Sequence, residues 1–419
     1  MNVIIKPSKL EGDVIIPPSK SLAHRAIIAA ALANGKSVIT NVQYSKDILA
    51  TIDSLKAIGA DIKELDNSLI INGSNVKRAR NYIDANESGS TIRFMIPIAL
   101  TCDGEIEFRG HNHLVERPLD IFFEIFDNQG IKYERQENYL PLKVNGKLKP
   151  GIFNIRGDIS SQFITGLLYA LPLLNKESKI VITTNLESKG YIDLTLDMLN
   201  KFGIKIINNN YKEFIIPGNQ SYKPYDYDIE GDYSQSAFFL VADMLGANIK
   251  LKSMNKNSYQ GDKKILKDIE DFNGKITFND TELYCNGKSK GTTIDFSQSP
   301  DLGPALTVLA SLSDGNSKFI NAKRLRIKEC DRITCMKEEL NKLGAKITEF
   351  DDGMDIIGVN SFTGGIIDSH NDHRVAMSIA MASLKATGDI KILNAECVSK
   401  SYPDFWNIFE NLGGKIIYD

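Results

Sequence analysis

Cationic side chains recur along this chain beside residues that start helices. Lys20 and Arg25 stand in PSKSLAHRA, Arg93 in GSTIRF, and His373 with Arg374 in NDHRVAM. Each phrase begins with small or capping residues and runs into a strongly apolar segment, the pattern of a capped helix that is buried. The first turn of a helix presents unpaired N–H groups and about half a positive charge, so it attracts anions. Capping alone accounts for any one of these starts. The cations point further, because an apolar helix gains nothing from a buried guanidinium unless a carboxylate or phosphate meets it. Arg25 falls four residues after Ser21, on the same helical face. Arg117 in HLVERPLD, Lys189 in ESKGYIDL and Lys400 in VSKSYPDF extend the set, although each also reads as an ordinary solvated charge. In RIKECDR, Lys328, Glu329 and Arg332 fall within one turn at a predicted helix start, which suits anion binding or a local ion-pair ladder. The chemistry favoured by these residue types is the capture of ligands dense in negative charge.

Other chemistries lack their motifs. Neither GxxxxGKS/T nor a strand-following GxGxxG is present for nucleotides, and no GxSxG for a serine hydrolase. The pairs His111 with His113 and His370 with His373 have no third ligand nearby in sequence, so no metal is predicted. Five cysteines, Cys102, Cys285, Cys330, Cys335 and Cys397, form no CxxC pair and read as the reduced thiols of a cytoplasmic protein. Lys and Arg number 50 against 53 Asp and Glu, a formal charge of −3, which argues against a general nucleic-acid coat. The start, MNVIIKPSKLEGD, has no signal-peptide core, and the longest apolar run, 26–33, is too short to span a membrane.

Two recurring phrases predict the elements that position these residues. A helix end followed by Gly or Asn and then a strand recurs at Gly59, Gly130, Gly203, Asn273, Gly344 and Gly413, roughly seventy residues apart. With nearly the same period, a polar start leads into an apolar helix from Ser19, Gly89, Asp158, Gly231, Ser299 and Asn371. The unit is therefore strands plus one buried and one more polar helix, repeated six times. Solenoid repeats are shorter, so a closed arrangement is expected. The 419 residues allow two to four domains, and the turn-rich stretch 218–232 divides the units three and three, into two pseudo-symmetric α/β domains.

The phrases PPSKSLAHRA, ESGSTIR, HLVERPLD, GDISSQFITGLL, LESKGYIDLTL, SPDLGPAL, RIKECDR, HNDHRVAM and SKSYPDF, in this order, span essentially the whole chain. Together they resemble the 5-enolpyruvylshikimate-3-phosphate synthase family. That resemblance implies two domains of three βαβαββ units each, an inside-out α/β barrel architecture with helices within. The implied domains are residues 19–230 and residues 1–18 with 231–419, with hinge crossovers near 18 and 230. It implies transfer of the enolpyruvyl group of phosphoenolpyruvate to the 5-hydroxyl of shikimate-3-phosphate by addition and elimination of phosphate, with no metal or organic cofactor. Closure of the domains on two such anionic ligands is expected. Lys20, Gly89, Ser90, Arg117, Gln162, Arg332, Arg374 and Lys400 are implied to bind phosphoenolpyruvate. Lys20, Ser21, Arg25, Ser160, Ser161, Gln162, Ser188, Tyr191, Asp301 and Lys328 are implied for shikimate-3-phosphate. Asp301 and Glu329 become the proton-transfer candidates, Lys20 assists phosphate departure and His373 stabilises charge. The expected partners are these small molecules alone, without nucleic acid or membrane, for a cytoplasmic monomer.

The chain departs from the commonest family pattern at Ser90, Phe94, Gly190, Arg324 and Leu325, all near the implied ligands. The alternatives are a UDP-N-acetylglucosamine enolpyruvyl transferase and a non-catalytic anion-binding protein. The former usually has Lys-Asn where Lys20-Ser21 stands, with a Cys or Asp in a reactive loop near Arg117. The latter has no need of Asp301 and Glu329 together.

Overall fold

The computed structural model describes residues 1–74, 76–279 and 282–419. Contacts divide the chain into two compact units, Lys20–Ile229 on the one hand and Met1–Ser19 with Glu230–Asp419 on the other. Each has its own apolar core.

Among the described residues the strands form six separate four-stranded sheets, three in each unit. Every sheet repeats one topology. In the sheet of Tyr82–Asp84, Glu105–Arg109, Leu142–Asn145 and Lys132–Arg135, one parallel pair is followed by two antiparallel pairs. Two sheets recruit a remote edge strand: Tyr227–Asp228 pairs in parallel with Gly35–Thr40, and Glu11–Ile15 with Asn248–Lys252. A third places Val3–Lys6 between Ile390–Leu393 and Lys415–Tyr418.

Six interior helices occur where the second phrase recurs: Lys20–Leu32, Gly89–Ala99, Ser161–Ala170, Tyr233–Met244, Gly303–Ser311 and His373–Ala382. The last three are buried along their whole length. Their sequences carry few charges beyond the first turn, so burial costs little desolvation there. The third helix starts later than expected. Asp158 does not cap it but receives Arg156 at 2.8 Å and Thr184 at 3.0 Å, and Ser160 becomes the N-cap.

The first phrase marks the ends of six more polar helices, Lys46–Ala57, Asp120–Gln129, Lys189–Lys201, Ile265–Asp271, Arg332–Lys342 and Phe405–Asn411. Gly59, Gly130, Gly203, Asn273, Gly344 and Gly413 all have φ between 67 and 102°, the left-handed turn that stops a helix. This periodic punctuation brings the polar starts of the interior helices to corresponding positions in each repeat.

Candidate active site

In the unit formed by Met1–Ser19 and Glu230–Asp419, four local elements deliver charge to one place. The turn Pro300–Leu302 supplies Asp301, and the loop before helix Arg332–Lys342 supplies Lys328 and Glu329. Helix His373–Ala382 opens with His373 and Arg374, and the turn Ala395–Lys400 ends in Lys400.

Arg332, with its side chain only 1% exposed, is the centre. Its Nη1 donates to Asp301 Oδ1 at 3.0 Å, its Nη2 to Glu329 Oε2 at 2.7 Å and its Nε to Asp372 Oδ2 at 2.7 Å. Asp301 also meets Lys328 at 3.1 Å and Arg374 at 3.5 Å, while Lys400 lies 3.6 Å from the other oxygen of Glu329. Six residues singled out in the sequence thus form one connected network. The ion pair of Glu329 with Arg332 is the local ladder weighed there. His373 is the first residue of its helix and is buried.

The electrostatics follow from burial against pairing. Burial pulls the Lys328 ammonium down to about 8, with Asp301 opposing. Burial pushes the Asp301 carboxyl up, but Lys328, Arg374 and Arg332 together outweigh it and hold the group well below the usual carboxylate range. Arg332 is driven above its usual value because Asp372, Glu329 and Asp301 overcome its own burial. The result is a site whose ionised groups fix one another around a buried guanidinium.

The unit Lys20–Ile229 builds differently. Lys20 pairs with Asp47 at 2.7 Å. Arg25 donates from Nε to Thr195 Oγ1 at 2.9 Å, from Nη1 to the Ser21 carbonyl at 2.7 Å and from Nη2 to the Tyr191 carbonyl at 3.0 Å. It lies over the rings of Phe94 and Tyr191 at 5.5 and 5.9 Å. Ser21, Arg25 and Tyr191, assigned to one ligand from the sequence, are therefore neighbours. Ser188, buried with φ 54°, accepts the Tyr191 N–H at its carbonyl and sets the start of that helix.

A second group gathers at helix Gly89–Ala99. Gln162 accepts from Arg93 Nη1 at 2.7 Å and donates to Ser90 Oγ at 2.9 Å, and Ser160 Oγ accepts the Gln162 N–H at 3.3 Å. Ser161 is the first residue of the same helix. Arg93 reaches the Pro118 carbonyl at 3.1 Å, beside Arg117. The Arg117 guanidinium occupies the space where a side chain at Gly89 would sit: a Cβ there would stand 2.5 Å from Nη1 and 2.9 Å from Cζ. A side chain at this position would thus make the flexible end of Arg117 shift.

Sequence reasoning missed Asp47, Asp372 and Thr195. Asp372 was visible only as a helix cap, and it does accept the Arg374 N–H at 2.8 Å. Its second role, holding Arg332, joins positions that no local pattern relates. The histidine pairs have carboxylate neighbours: His111 Nε2 lies 2.9 Å from Asp84, His113 Nδ1 3.1 Å from Glu116 and His370 Nε2 2.9 Å from Glu339.

Residues 4–409 match the family model described as EPSP synthase (3-phosphoshikimate 1-carboxyvinyltransferase). The chain is 53% identical over 416 residues to the 3-phosphoshikimate 1-carboxyvinyltransferase of Clostridium perfringens, covering 98% of each. It is 50% identical over 426 residues to that of Clostridioides difficile, covering 98% of this chain and 97% of the relative. A solved EPSP synthase structure from Acinetobacter baumannii superposes with a TM-score of 0.81 at 25% identity, covering all of both chains.

Proposed function

The chain belongs to the EPSP synthase family, and from that membership we propose how its own residues divide the family's reaction. The enzyme transfers the enolpyruvyl group of phosphoenolpyruvate to the 5-hydroxyl of shikimate-3-phosphate and releases phosphate, a step of the shikimate pathway to aromatic amino acids.

The chemistry adds the hydroxyl to C2 as C3 gains a proton, then expels phosphate and returns the proton from C3. It therefore needs cations for two anionic substrates and groups that exchange protons. In our reading, Lys20, Arg117, Arg332, Arg374 and Lys400 receive phosphoenolpyruvate, with Gly89 leaving room for Arg117 and Ser90 and Gln162 completing the contacts. Ser21, Ser160, Ser161, Gln162, Ser188, Tyr191 and Lys328 receive shikimate-3-phosphate, and Arg25 holds Ser21 and Tyr191 in place for it. Asp301, kept ionised by its three cationic neighbours, accepts the hydrogen bond of the 5-hydroxyl and draws off its proton. Glu329 carries the proton exchanged at C3, with Lys400 and Arg332 fixing its two oxygens. Lys20 assists the departing phosphate, and His373 stabilises developing charge.

The observation that carries this reading is Arg332 held by three carboxylates, two of which also reach further cations. Burying so many charges is costly to stability, and an apolar core of the same volume would cost less. Function is the reason to retain them. The chain is further proposed to work in the cytoplasm as a monomer, on small molecules and not on nucleic acid or membranes; among the described residues no helix is long and apolar enough to cross a membrane. A phosphate-release assay tests the reading: release must require shikimate-3-phosphate and phosphoenolpyruvate together. Release with a UDP sugar in place of shikimate-3-phosphate would overturn it.

A further inference from the structure

Beneath the start of helix Lys20–Leu32 runs a chain of polar side chains outside those assigned to either substrate. His24 lies one turn after Lys20, and Thr51 one turn after Asp47. The Lys20–Asp47 pair is therefore followed by a second rung between the same two helices, with His24 Nδ1 2.7 Å from Thr51 Oγ1. Thr51 Oγ1 lies 2.6 Å from Thr91 Oγ1, in the first turn of helix Gly89–Ala99. Thr91 Oγ1 donates to Ser88 Oγ at 2.8 Å, and Ser88 Oγ also accepts the Thr91 N–H at 3.2 Å, so the chain ends on the N-cap of that helix. Thr91 Oγ1 further stands 3.4 Å from the Asp47 carbonyl oxygen. His24, Thr51, Thr91 and Ser88 are all buried.

The direction of the chain follows from the single proton each hydroxyl carries. Thr91 spends its proton on Ser88, so its oxygen accepts from Thr51, and Thr51 in turn accepts from His24 Nδ1. Burial pulls the His24 imidazole down to about 3, which keeps the ring neutral with one N–H. Nε2 has no hydrogen-bond partner among the described residues, so that proton has its use at Nδ1. The ring stands nearly perpendicular to that of Phe94, at 86° and 6.3 Å, which holds its plane. Each link then has one donor and one acceptor, and a chain satisfied in this way is rigid. Adhesion between the helices does not require it, because valine would fill the space of each threonine. Hydrogen bonds add fixed distances and angles, which apolar packing does not prescribe.

We propose that His24, Thr51 and Thr91 are positioning residues for phosphoenolpyruvate: their chain sets Lys20 and the Gly89–Ser90 turn at the separation the ligand needs. Both ends of the chain adjoin those residues. His24 is one turn below Lys20 on one helix, and Ser88 and Thr91 flank Gly89 and Ser90 on the other. Thr51 joins the two ends through the helix whose Asp47 holds Lys20. Side chains that touch a ligand keep their geometry only when others lock them, and a misplacement of about 1 Å can cost about 10²-fold in rate. This role rests on those proposed above for Lys20, Gly89 and Ser90.

Thr51→Val in the full chain keeps the shape and removes both hydrogen bonds. Steady-state phosphate release should show KM for phosphoenolpyruvate raised about tenfold, with KM for shikimate-3-phosphate within about twofold of the parent. Thr51→Ser restores the hydroxyl and should restore the parent KM. His24→Asn, which keeps an N–H near the position of Nδ1, should follow Thr51→Ser, whereas His24→Leu should follow Thr51→Val. If Thr51→Val does not fold, the triple variant His24→Leu, Thr51→Val and Thr91→Val leaves no partner stranded and should fold with the same rise in KM. The proposal is overturned if the folded variants lose only stability to urea, if both KM values rise alike, or if serine fails to rescue. Gly89→Ala separates the two levels of failure. A raised KM for phosphoenolpyruvate there, with an unchanged one in Thr51→Val, rejects the positioning chain alone; an unchanged KM in both also rejects the role given to Gly89.

Discussion

Arg332 and Arg25 are both buried guanidiniums, and the chain holds them by opposite means. Arg332 is gripped by Asp301, Glu329 and Asp372. The described contacts of Arg25 are two main-chain carbonyls, a threonine hydroxyl and the faces of two aromatic rings. Neutral partners fix a cation's position without cancelling its charge, whereas carboxylates cancel charge and add oxygens that can carry protons. The comparison teaches that a buried guanidinium can be kept as a fixed positive charge or tied into a network of ionised groups, depending on what surrounds it.

Substitution of Glu329 by Gln gives the sharpest test of this division. The amide keeps the shape and one acceptor for Arg332 but cannot exchange the proton. Turnover measured as phosphate release should fall by about 10²- to 10⁴-fold with substrate KM values nearly kept. A variant that turns over normally would break the contrast.

Gly89→Ala probes the other region. The new Cβ would force the Arg117 guanidinium to move, so steady-state kinetics should show KM for phosphoenolpyruvate rising about tenfold, equivalent to about 1.4 kcal/mol, with kcat changed less. A fall confined to kcat would mean that this region does more than bind.

A pH profile separates the regions less strongly. Lys328 titrates at about 8, charged below and neutral above, so turnover should decline several-fold as pH rises through that value. Lys328→Arg should retain its charge and flatten the alkaline limb. If the limb is unchanged in the arginine variant, another group is responsible.

The smallest effect on turnover is expected for Thr195→Val. It removes the acceptor for Arg25 Nε and leaves a buried donor unmet, which should cost about 1–3 kcal/mol of stability, read as a lower urea midpoint. Turnover should change little, because Arg25 keeps its two carbonyl partners.

The repeat was legible because its punctuation is local. A left-handed Gly or Asn ends each outer helix for reasons contained in a few residues, and an apolar run with a capped start marks each interior helix. Arg332, Lys328 and Glu329 were visible for the same reason, as neighbours in RIKECDR. Asp372 and Asp47 were not. Asp372 is 40 residues from the arginine it holds, and its capping bond already gave it an ordinary purpose. Asp47 meets Lys20 from the next helix, where nothing in the spacing relates the two. Gly89 stood out as a helix start, but the arginine that would have to move for a side chain there enters from a separate loop.

The remote edge strands set a timetable for synthesis. Every strand of the unit Lys20–Ile229 has been made once Asp228 has emerged. The strand Val3–Lys6, made before that unit, pairs with Ile390–Leu393 and Lys415–Tyr418, made after it. A nascent chain must therefore carry that strand unpaired while the whole intervening unit is made. That waiting strand is where a protective chaperone contact would matter most, since exposed strand edges invite pairing with the wrong chain.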